Sequence, residues 1–299
     1  GLKRGFEVLY DPGLVDRPDA LQGALGAARA LIVRNRTRVT APLLTAAPRL
    51  EVVGRLGVGL DNIDMAACRS RGLQVFPATG ANDQAVAEYV IAATLMLLRG
   101  AYHAQDRMLA GEWPRQALMG REIAGKTLGL VGFGGIGRLV ATQARALGMK
   151  VAACDPFLAA SDPAWQGIAR HEALAGLLAA CDALSLHVPL TDGTRNLIDA
   201  EALAALRPGA VLINTARGGV VDEDALADSL RAGHLGGAAI DVFAEEPLGR
   251  QSAARFAGLP NVILTPHIAG VTAEANVRVS ALTAEQVRRA LQAPAEARR

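Results

Sequence analysis

The 299-residue sequence has few cysteines, few lysines and no long apolar run. Its three cysteines, Cys68, Cys154 and Cys181, form no Cys-x-x-Cys pair, and an odd, scattered set is a poor disulfide framework. We therefore expect a reducing, cytoplasmic compartment. The longest apolar run, Tyr89–Leu98, is far shorter than the ~20 residues that a membrane-spanning helix needs. A membrane protein is therefore not expected.

The sequence also lacks an excess of either charge. Its 31 basic residues are matched by 29 acidic residues, which leaves a net charge of +2. Nucleic acids and anionic membrane surfaces attract proteins with a clustered basic excess, so we expect neither partner. Histidines and cysteines with the spacing of metal ligands are missing as well, which predicts a metal-independent protein.

What is present is the composition of a soluble α/β protein. Hydrophobic residues make up 51% of the chain and charged residues 20%, enough for a sizeable core, and the length suggests two domains. In the first ninety residues, short apolar runs alternate with helix-like stretches. The strand candidates there are Phe6–Tyr10, Ala30–Val33, Leu50–Val53 and Leu73–Phe76. Because the first begins so early, we expect a preceding strand and helix to be absent from this numbering.

A second alternation begins after an irregular stretch at residues 101–120. Six strands separated by helical runs predict a complete doubly wound parallel sheet. The remainder, from Val271 onward, reads as one amphipathic helix that returns to the first domain. The six strand candidates are Thr127–Phe133, Lys150–Cys154, Ala183–Val188, Ala210–Thr215, Ala238–Val242 and Val262–Leu264.

A glycine-rich string follows the first strand of this second sheet. In Gly132-Phe-Gly134-Gly-Ile-Gly137 the first glycine permits a tight turn, the second lets a pyrophosphate approach the backbone, and the third lets helix and strand pack closely. The following helix would offer its N-terminal N–H groups to the phosphates. Asp155 ends the next strand, where a carboxylate can accept hydrogen bonds from both ribose hydroxyls and repels a 2′-phosphate. Together these signals predict a site for NAD rather than NADP.

Three ionisable side chains end strands or open the loops after them. They are Arg217, Glu246 and His267. An arginine can hold a carboxylate, a histidine can pass a proton near neutral pH, and a carboxylate can orient the histidine and raise its pKa. Each residue alone has a plainer interpretation: a surface ion pair, a solvated turn or a structural histidine. His187 also ends a strand and competes with His267 for the proton-transfer role.

Four strings together resemble the D-isomer-specific 2-hydroxyacid dehydrogenase family. They are Gly132–Gly137, Asn214–Asp222, Asp241–Pro247 and Thr265–His267, and they follow one another in the family's order. The resemblance implies a Rossmann-type doubly wound NAD domain, residues 94–271. A smaller flavodoxin-like substrate domain would be built from residues 1–93 and a returning C-terminal helix, residues 272–299. It also implies a hydride transfer between NAD and a small 2-hydroxy acid.

The resemblance assigns the catalytic roles. It implies that Arg217 binds the substrate, that His267 is the acid/base and that Glu246 is its partner, with Glu245 one position off the pattern. His187 would line the adenine side, and Asp241 would hold the nicotinamide carboxamide. The NAD site implied in this way comprises Gly132, Gly134, Gly135, Ile136, Gly137, Asp155, His187, Val188, Pro189, Thr194, Thr215, Ala216 and Asp241.

The resemblance extends to the substrate. The string Gly54–Asp64 is similar to the family's substrate segment, in which Leu56 and Gly57 offer backbone N–H groups to the carboxylate. Family members that act on a 3-phosphorylated or 3-sulfonated acid bind a second anion, for which Arg34, Arg36, Arg55 and Arg115 are candidates. The expected substrate-binding set is Arg34, Arg55, Leu56, Gly57, Asn82 and Arg115, with Arg115 reaching in from a partner subunit of a homodimer built through residues 99–120.

The substrate segments are most similar to the sulfolactate branch of the family, with the phosphoglycerate branch as close competitor and hydroxypyruvate or glyoxylate reduction as a further alternative. No regulatory C-terminal domain follows in this numbering, which favours a catabolic role. An alternative from another class is an NADH-sensing, corepressor-like binding protein. Formate dehydrogenase is disfavoured, because Glu246 stands where those relatives carry glutamine.

Overall fold

The computed structural model describes residue 2 and residues 5–293, and within them the chain forms an α/β fold of parallel sheets. The strands are β1 (Ala30–Val33), β2 (Val52–Arg55), β3 (Gln74–Pro77), β4 (Thr127–Val131), β5 (Lys150–Cys154), β6 (Ala169–Arg170), β7 (Ala183–Leu186), β8 (Val211–Asn214), β9 (Gly237–Ile240) and β10 (Val262–Leu264). The helices are α1 (Pro18–Leu25), α2 (Ala41–Thr45), α3 (Met65–Ser70), α4 (Asp83–Arg99), α5 (Gln105–Leu109), α6 (Gly135–Ala146), α7 (Leu174–Ala180), α8 (Ala200–Ala205), α9 (Glu223–Arg231), α10 (Arg250–Ala253) and α11 (Ala273–Gln292).

The chain divides into two compact units. The first unit comprises residues 1–82 and 271–299, and the second comprises residues 83–270. The predicted boundary between residues 93 and 94 falls inside α4, which groups whole with the second unit. The predicted returning segment 272–299 groups with the first unit, although residues 294–299 of that prediction lie outside the described part.

The first unit is a three-stranded parallel sheet in the order β1-β2-β3. Leu31, Val33 and Val53 pack with α2 and α3 in one core, while Val52 packs with Val287 of α11 in another. Close packing of α11 depends on Gly54, because a Cβ there would lie only 2.7 Å from Thr283 Cγ2. The helix from the chain's end is thus an integral part of the first unit.

The second unit is a seven-stranded parallel sheet in the order β10-β9-β8-β7-β4-β5-β6. The chain moves outward from β4 to β6 and then returns to the other side of β4 with β7, so the order reverses between β4 and β7. In doubly wound sheets ligands bind at this point, outside the carboxyl ends of the strands. The sequence predicted six of the seven strands but missed β6, because two paired residues at a sheet edge have no apolar run to announce them.

One predicted strand is wrong. Phe6–Tyr10 forms neither helix nor strand, and the side chains of Leu9 and Tyr10 are 69% and 80% exposed. An apolar run becomes a strand only where a neighbouring strand pairs with its backbone, and the sheet of the first unit begins at β1. Among the described residues no helix is both long and apolar enough to cross a membrane.

Candidate active site

The glycine-rich turn between β4 and α6 requires its glycines for two separate reasons. Gly132 has a positive φ of 89°, and a Cβ there would lie 2.7 Å from the His187 carbonyl oxygen. A Cβ on Gly137 would lie 2.7 Å from the Gly132 carbonyl oxygen, so the helix can approach the turn only with glycine. Gly134, by contrast, has no atom within 4 Å of its Cβ position. The backbone is therefore open at the point where a pyrophosphate must approach.

Asp155 ties the end of β5 to this turn. Its Oδ2 accepts a hydrogen bond from the Phe133 N–H (2.8 Å) and its Oδ1 accepts one from the Phe157 N–H (2.9 Å). Each carboxylate oxygen can accept a second hydrogen bond. Asp155 is thus held in place and keeps acceptor capacity for ribose hydroxyls.

His187 directly follows β7 and is half-buried. Burial lowers the pKa of His187 to about 4, and its Nε2 lies 3.0 Å from Ser185 Oγ. A histidine with so low a pKa is a weak base near neutral pH. The lowered pKa of His187 therefore favours His267 for the proton-transfer role, which stays a prediction.

The loops after β7 and β8 hold the other predicted cofactor residues. The Thr194 hydroxyl donates to the Pro189 carbonyl (2.6 Å) and accepts from the Thr191 N–H (2.8 Å), which closes the first loop. Val188 lies against Gly132, with its Cγ1 3.1 Å from the position of a Cβ. The Thr215 hydroxyl is buried and has no hydrogen-bond partner among the described residues. A buried hydroxyl without a partner at the carboxyl end of β8 fits a ligand-binding edge of the sheet.

Asp83 is an unexpected neighbour of this turn. Its carboxylate oxygen Oδ2 lies 2.6 Å from the Cβ position of Gly135, so a side chain at position 135 would collide with it. Burial raises the pKa of Asp83 above its ordinary value. The first turn of α6 therefore has two neighbours: the open backbone at Gly134 and the Asp83 carboxyl group.

Glu246 and His267 form a direct pair. His267 Nδ1 lies 2.8 Å from Glu246 Oε2, and Glu246 Oε1 accepts the Phe243 N–H at 3.1 Å. Burial by itself would raise the pKa of Glu246, but the hydrogen bonds from His267 and Phe243 and the charges of His267 and Arg217 outweigh it. The pKa of Glu246 therefore lies below its ordinary value. Glu246 is an anion that accepts from one ring nitrogen of His267 and leaves Nε2 for a ligand.

A buried network holds the loop that carries His267. Asp241, whose side chain is fully buried, accepts hydrogen bonds from the Thr265 hydroxyl (2.5 Å) and from the N–H groups of Ile268 and Ala269 (2.8 Å each). Its backbone carbonyl accepts the His267 N–H at 2.8 Å. These bonds fix His267 at a φ of +55°, a conformation that non-glycine residues rarely adopt. The role expected for Asp241 toward the nicotinamide carboxamide stays a prediction.

Arg217 belongs to the same cluster. Asn214, at the end of β8, donates to the Arg217 carbonyl (3.1 Å) and accepts the Ala216 N–H (3.1 Å), which sets the turn that presents the arginine. Arg217 Nη1 donates to the Ala216 carbonyl at 2.6 Å, and its charge helps to lower the pKa of Glu246. The structure therefore brings together the three predicted catalytic residues. We call Arg217, Asp241, Glu246, Thr265 and His267 the catalytic cluster.

Two residues that position this cluster could not be identified from the sequence. Tyr89, on α4, places its hydroxyl 2.7 Å from Thr265 Oγ1. The Thr265 hydroxyl already donates its proton to Asp241, so the Tyr89 hydroxyl is the donor in its bond with Thr265. Glu223, buried at the start of α9, accepts the Ala244 N–H at 2.6 Å and so anchors the loop before Glu246. Both contacts join residues that are distant in the chain, which no local pattern reveals.

The predicted substrate residues of the first unit centre on residues 55–62, which we call the substrate loop. Arg55 Nη1 donates to the Leu56 carbonyl (2.5 Å) and Arg55 Nε to Asn62 Oδ1 (3.3 Å). The Leu56 N–H is bonded to the Val33 carbonyl (2.8 Å) and the Gly57 N–H to the Arg55 carbonyl (2.9 Å), so both expected donors are engaged within the unit. Their donation to a substrate carboxylate stays a prediction.

The remaining substrate candidates lie in different surroundings. Arg34 donates to Asn276 Oδ1 at 2.8 Å, and Arg36 forms an exposed ion pair with Asp16. Asn82 has a buried side-chain oxygen with no hydrogen-bond partner among the described residues. Arg115 is exposed within the segment between α5 and β4. Over the described part of the chain, no group of three or more His, Cys, Asp or Glu residues could hold a metal ion.

Comparison with known proteins agrees with this geometry. Residues 91–269 match the family model for the D-isomer specific 2-hydroxyacid dehydrogenase NAD-binding domain. The chain is 59% identical over 290 residues to an (S)-sulfolactate dehydrogenase of Chromohalobacter salexigens, covering 97% of this chain and 93% of that one. It is 44% identical to a D-3-phosphoglycerate dehydrogenase of Mycobacterium leprae, covering 93% of this chain but only 52% of that longer protein.

A solved structure with bound ligands is also similar. The D-lactate dehydrogenase of Aquifex aeolicus, complexed with NAD and lactic acid, superposes with a TM-score of 0.81 at 31% identity. The match covers 91% of this chain and 85% of that one. The sequence prediction of an NAD-binding, doubly wound fold is confirmed by these comparisons and by the sheet order.

Proposed function

The chain belongs to the D-isomer-specific 2-hydroxyacid dehydrogenase family and is an NAD-dependent dehydrogenase; from this we propose that its substrate is a 2-hydroxy acid with a second anionic group, 3-sulfolactate foremost. The similarity to a sulfolactate dehydrogenase over nearly the whole length of both chains supports this choice. The guanidinium of Arg55 in the substrate loop supplies a cation for the distal anion.

The proposed chemistry rests above all on the 2.8 Å contact between His267 Nδ1 and Glu246 Oε2. Bound NAD would supply the acceptor for the hydride that leaves the substrate's C2 carbon. His267, whose Nδ1 faces Glu246, accepts the C2 hydroxyl proton on Nε2. The anionic Glu246 stabilises the imidazolium that forms and keeps the ring oriented.

Arg217 has a different task in this proposal. Its planar guanidinium binds the C1 carboxylate and the C2 oxygen of the substrate, and it stabilises the partial negative charge on the C2 oxygen in either direction of the reaction. In the reverse direction His267 returns the proton from Nε2. For the cofactor we propose Asp155 as the ribose ligand and Gly134, Gly135 and Ile136 as the phosphate-binding backbone.

A substrate panel tests this function. We expect kcat/KM with NAD to be highest for 3-sulfolactate among 3-sulfolactate, 3-phosphoglycerate, glycerate, glycolate and lactate. A preference for 3-phosphoglycerate would move the assignment to that neighbouring activity, which the 44% identity makes the second candidate. Fastest turnover of glycerate or glycolate would favour a hydroxypyruvate or glyoxylate reductase. Tight NADH binding without oxidation of any of these acids would identify an NADH sensor instead.

We also propose that the chain forms a homodimer through residues 99–120. In a sequence with only 4% aromatic residues, this segment exposes Tyr102, Leu109, Trp113 and Met119, each by 64% or more. Exposed apolar clusters of this kind favour association. Sedimentation equilibrium should give the mass of a dimer, and a Leu109→Asp/Trp113→Asp double variant should give that of a monomer. The proposed arm from the partner subunit would then carry Arg115.

The cysteines support a cytoplasmic location. Cys68, Cys154 and Cys181 are all buried free thiols. A reducing compartment keeps such thiols unmodified. Fractionation of the source cells should place the activity with the cytosolic enzymes.

A further inference from the structure

Asn62 connects the substrate loop to the segment after β1 and contacts three residues through one side chain. Its Oδ1 accepts a hydrogen bond from Arg55 Nε at 3.3 Å, and its Nδ2 donates to the carbonyl oxygens of Arg34 (2.8 Å) and Thr37 (2.6 Å). The amide orientation follows from this chemistry. Turned over, the NH2 group would face a guanidinium donor and the oxygen would face two carbonyl oxygens. Asn62 therefore uses its acceptor and both of its donors.

The segments joined by Asn62 lie at the same edge of the sheet. Val33, the last residue of β1, is paired in register with Arg55, the last residue of β2. Arg34 and the substrate loop therefore begin side by side at the carboxyl ends of neighbouring parallel strands. The backbone of Asn62 adds a further connection, because its carbonyl accepts the Val39 N–H at 2.8 Å. Asn62 thus holds residues 34–39 beside the substrate loop that carries Arg55.

We propose that Asn62 is a positioning residue that sets the Arg55 guanidinium to receive the distal anion of the substrate, an inference that rests on the proposed function. Two of the hydrogen bonds of Arg55 run from its guanidinium to the Leu56 carbonyl and to Asn62. The Leu56 carbonyl belongs to the neighbouring residue and moves with Arg55. The bond to Asn62 relates the guanidinium to the segment that Asn62 itself holds, residues 34–37.

The side-chain chemistry of asparagine suits this task. An aspartate at position 62 would accept from Arg55 but would lose the donors to the Arg34 and Thr37 carbonyls. It would also place a negative charge beside the guanidinium, which opposes an anionic ligand. An alanine would remove both functions. The neutral amide orients Arg55 and adds no charge of its own.

Steady-state kinetics of Asn62→Ala and Asn62→Asp, with 3-sulfolactate and lactate as paired substrates, test the inference. Loss of a hydrogen bond to a charged group predicts a rise of about 10-fold in KM for 3-sulfolactate in Asn62→Ala. Its kcat and its KM for lactate should change less than about twofold, because the catalytic cluster is untouched. Asn62→Asp should raise the KM for 3-sulfolactate further than Asn62→Ala does.

Asp64→Ala is the matched structural control. Asp64 accepts the Ala67 N–H at 2.8 Å and so caps α3, just beyond the substrate loop. Its loss should lower the melting temperature without changing the preference for 3-sulfolactate over lactate. If Asn62→Ala raises both KM values equally, or if Asp64→Ala has the same effect, Asn62 is only a structural residue and the inference fails.

Arg55→Ala separates this inference from the proposed function. If Arg55→Ala leaves the preference for 3-sulfolactate intact, the distal-anion function is wrong and the role of Asn62 is wrong with it. If Arg55→Ala abolishes the preference but Asn62→Ala does not, the function stands and only the positioning role is refuted.

Discussion

The catalytic cluster and the substrate loop are held in place by different means. Asp241, at the centre of the cluster, is fully buried and receives three hydrogen bonds, and a Tyr89 hydroxyl supports its Thr265 partner. In the substrate loop, Arg55 is positioned by a half-buried asparagine and by a carbonyl of its own loop. Proton transfer needs a fixed geometry, whereas substrate preference can change through a few loop contacts. We therefore expect variants in the catalytic cluster to lower kcat and variants in the substrate loop to raise KM.

The largest expected effect is that of His267→Ala. Without a proton acceptor at Nε2, kcat should fall at least about 100-fold, while NADH binding, measured by fluorescence titration, should be retained. His171→Ala, which changes a half-buried histidine outside both the catalytic cluster and residues 99–120, is the matched control and should keep full activity. Survival of most of the activity in His267→Ala would remove His267 from the proton-transfer role.

The next largest effect is expected from Glu246→Gln, with kcat at pH 7 lower by roughly 30-fold because the imidazolium loses its anionic partner. The pKa of Glu246 lies below its ordinary value, so the carboxylate of the folded enzyme is charged near neutral pH and loses its charge only as the pH falls through that lowered value. The difference between wild type and variant should therefore be constant near neutrality and shrink only in acid. A pH profile of kcat measures it.

Glu245→Gln is the control for that experiment. Glu245 is exposed and bonds to Ser252 Oγ at 2.7 Å, so its neutralisation should leave the profile unchanged. Equal losses in the two variants would mean that the pairing of Glu246 with His267 does not matter for catalysis.

Asp241→Asn tests the buried framework. An amide has one acceptor oxygen, so one of the groups that now bond to Asp241 would face an NH2 group. We expect a loss of about 1–3 kcal/mol in the free energy of unfolding and a fall of roughly 10-fold in kcat. Thermal unfolding and steady-state rates measure the two effects. A variant as stable as the wild type would show that the loop of His267 is held by other contacts.

The smallest expected effect is that of Tyr89→Phe. Loss of its hydrogen bond to Thr265 should cost about 1 kcal/mol of stability and lower kcat by roughly threefold, with KM unchanged. Tyr10→Phe, at an 80% exposed position, provides the matched control and should show neither change. An altered KM for Tyr89→Phe would contradict the expectation that residues supporting the catalytic cluster affect kcat and not KM.

The sequence predicted the parts of the molecule that local patterns encode. Gly132, Gly137 and Asp155 occupy the turn and strand end that their spacing indicated, and Glu246 and His267 meet because both follow neighbouring parallel strands. Strand ends that share one edge of a sheet bring distant residues together, and the family resemblance singled out Arg217, Glu246 and His267 among the residues placed there.

The parts that escaped prediction depend on pairing and burial. Phe6–Tyr10 resembles a strand but pairs with none of the described strands, and the pair Ala169–Arg170 is a strand only because β5 lies beside it. The lowered pKa of His187 follows from its burial, which no local sequence pattern reveals. The contacts of Asn62 and Tyr89 join segments whose approach only the folded chain determines.

The preference for 3-sulfolactate over lactate, expressed as the ratio of their kcat/KM values, tests the division between chemistry and selectivity most directly. In His267→Ala both values should fall together and the ratio should stay unchanged, whereas in Arg55→Ala the ratio should fall by about 10-fold or more. A changed ratio in His267→Ala, or an unchanged one in Arg55→Ala, would contradict the account.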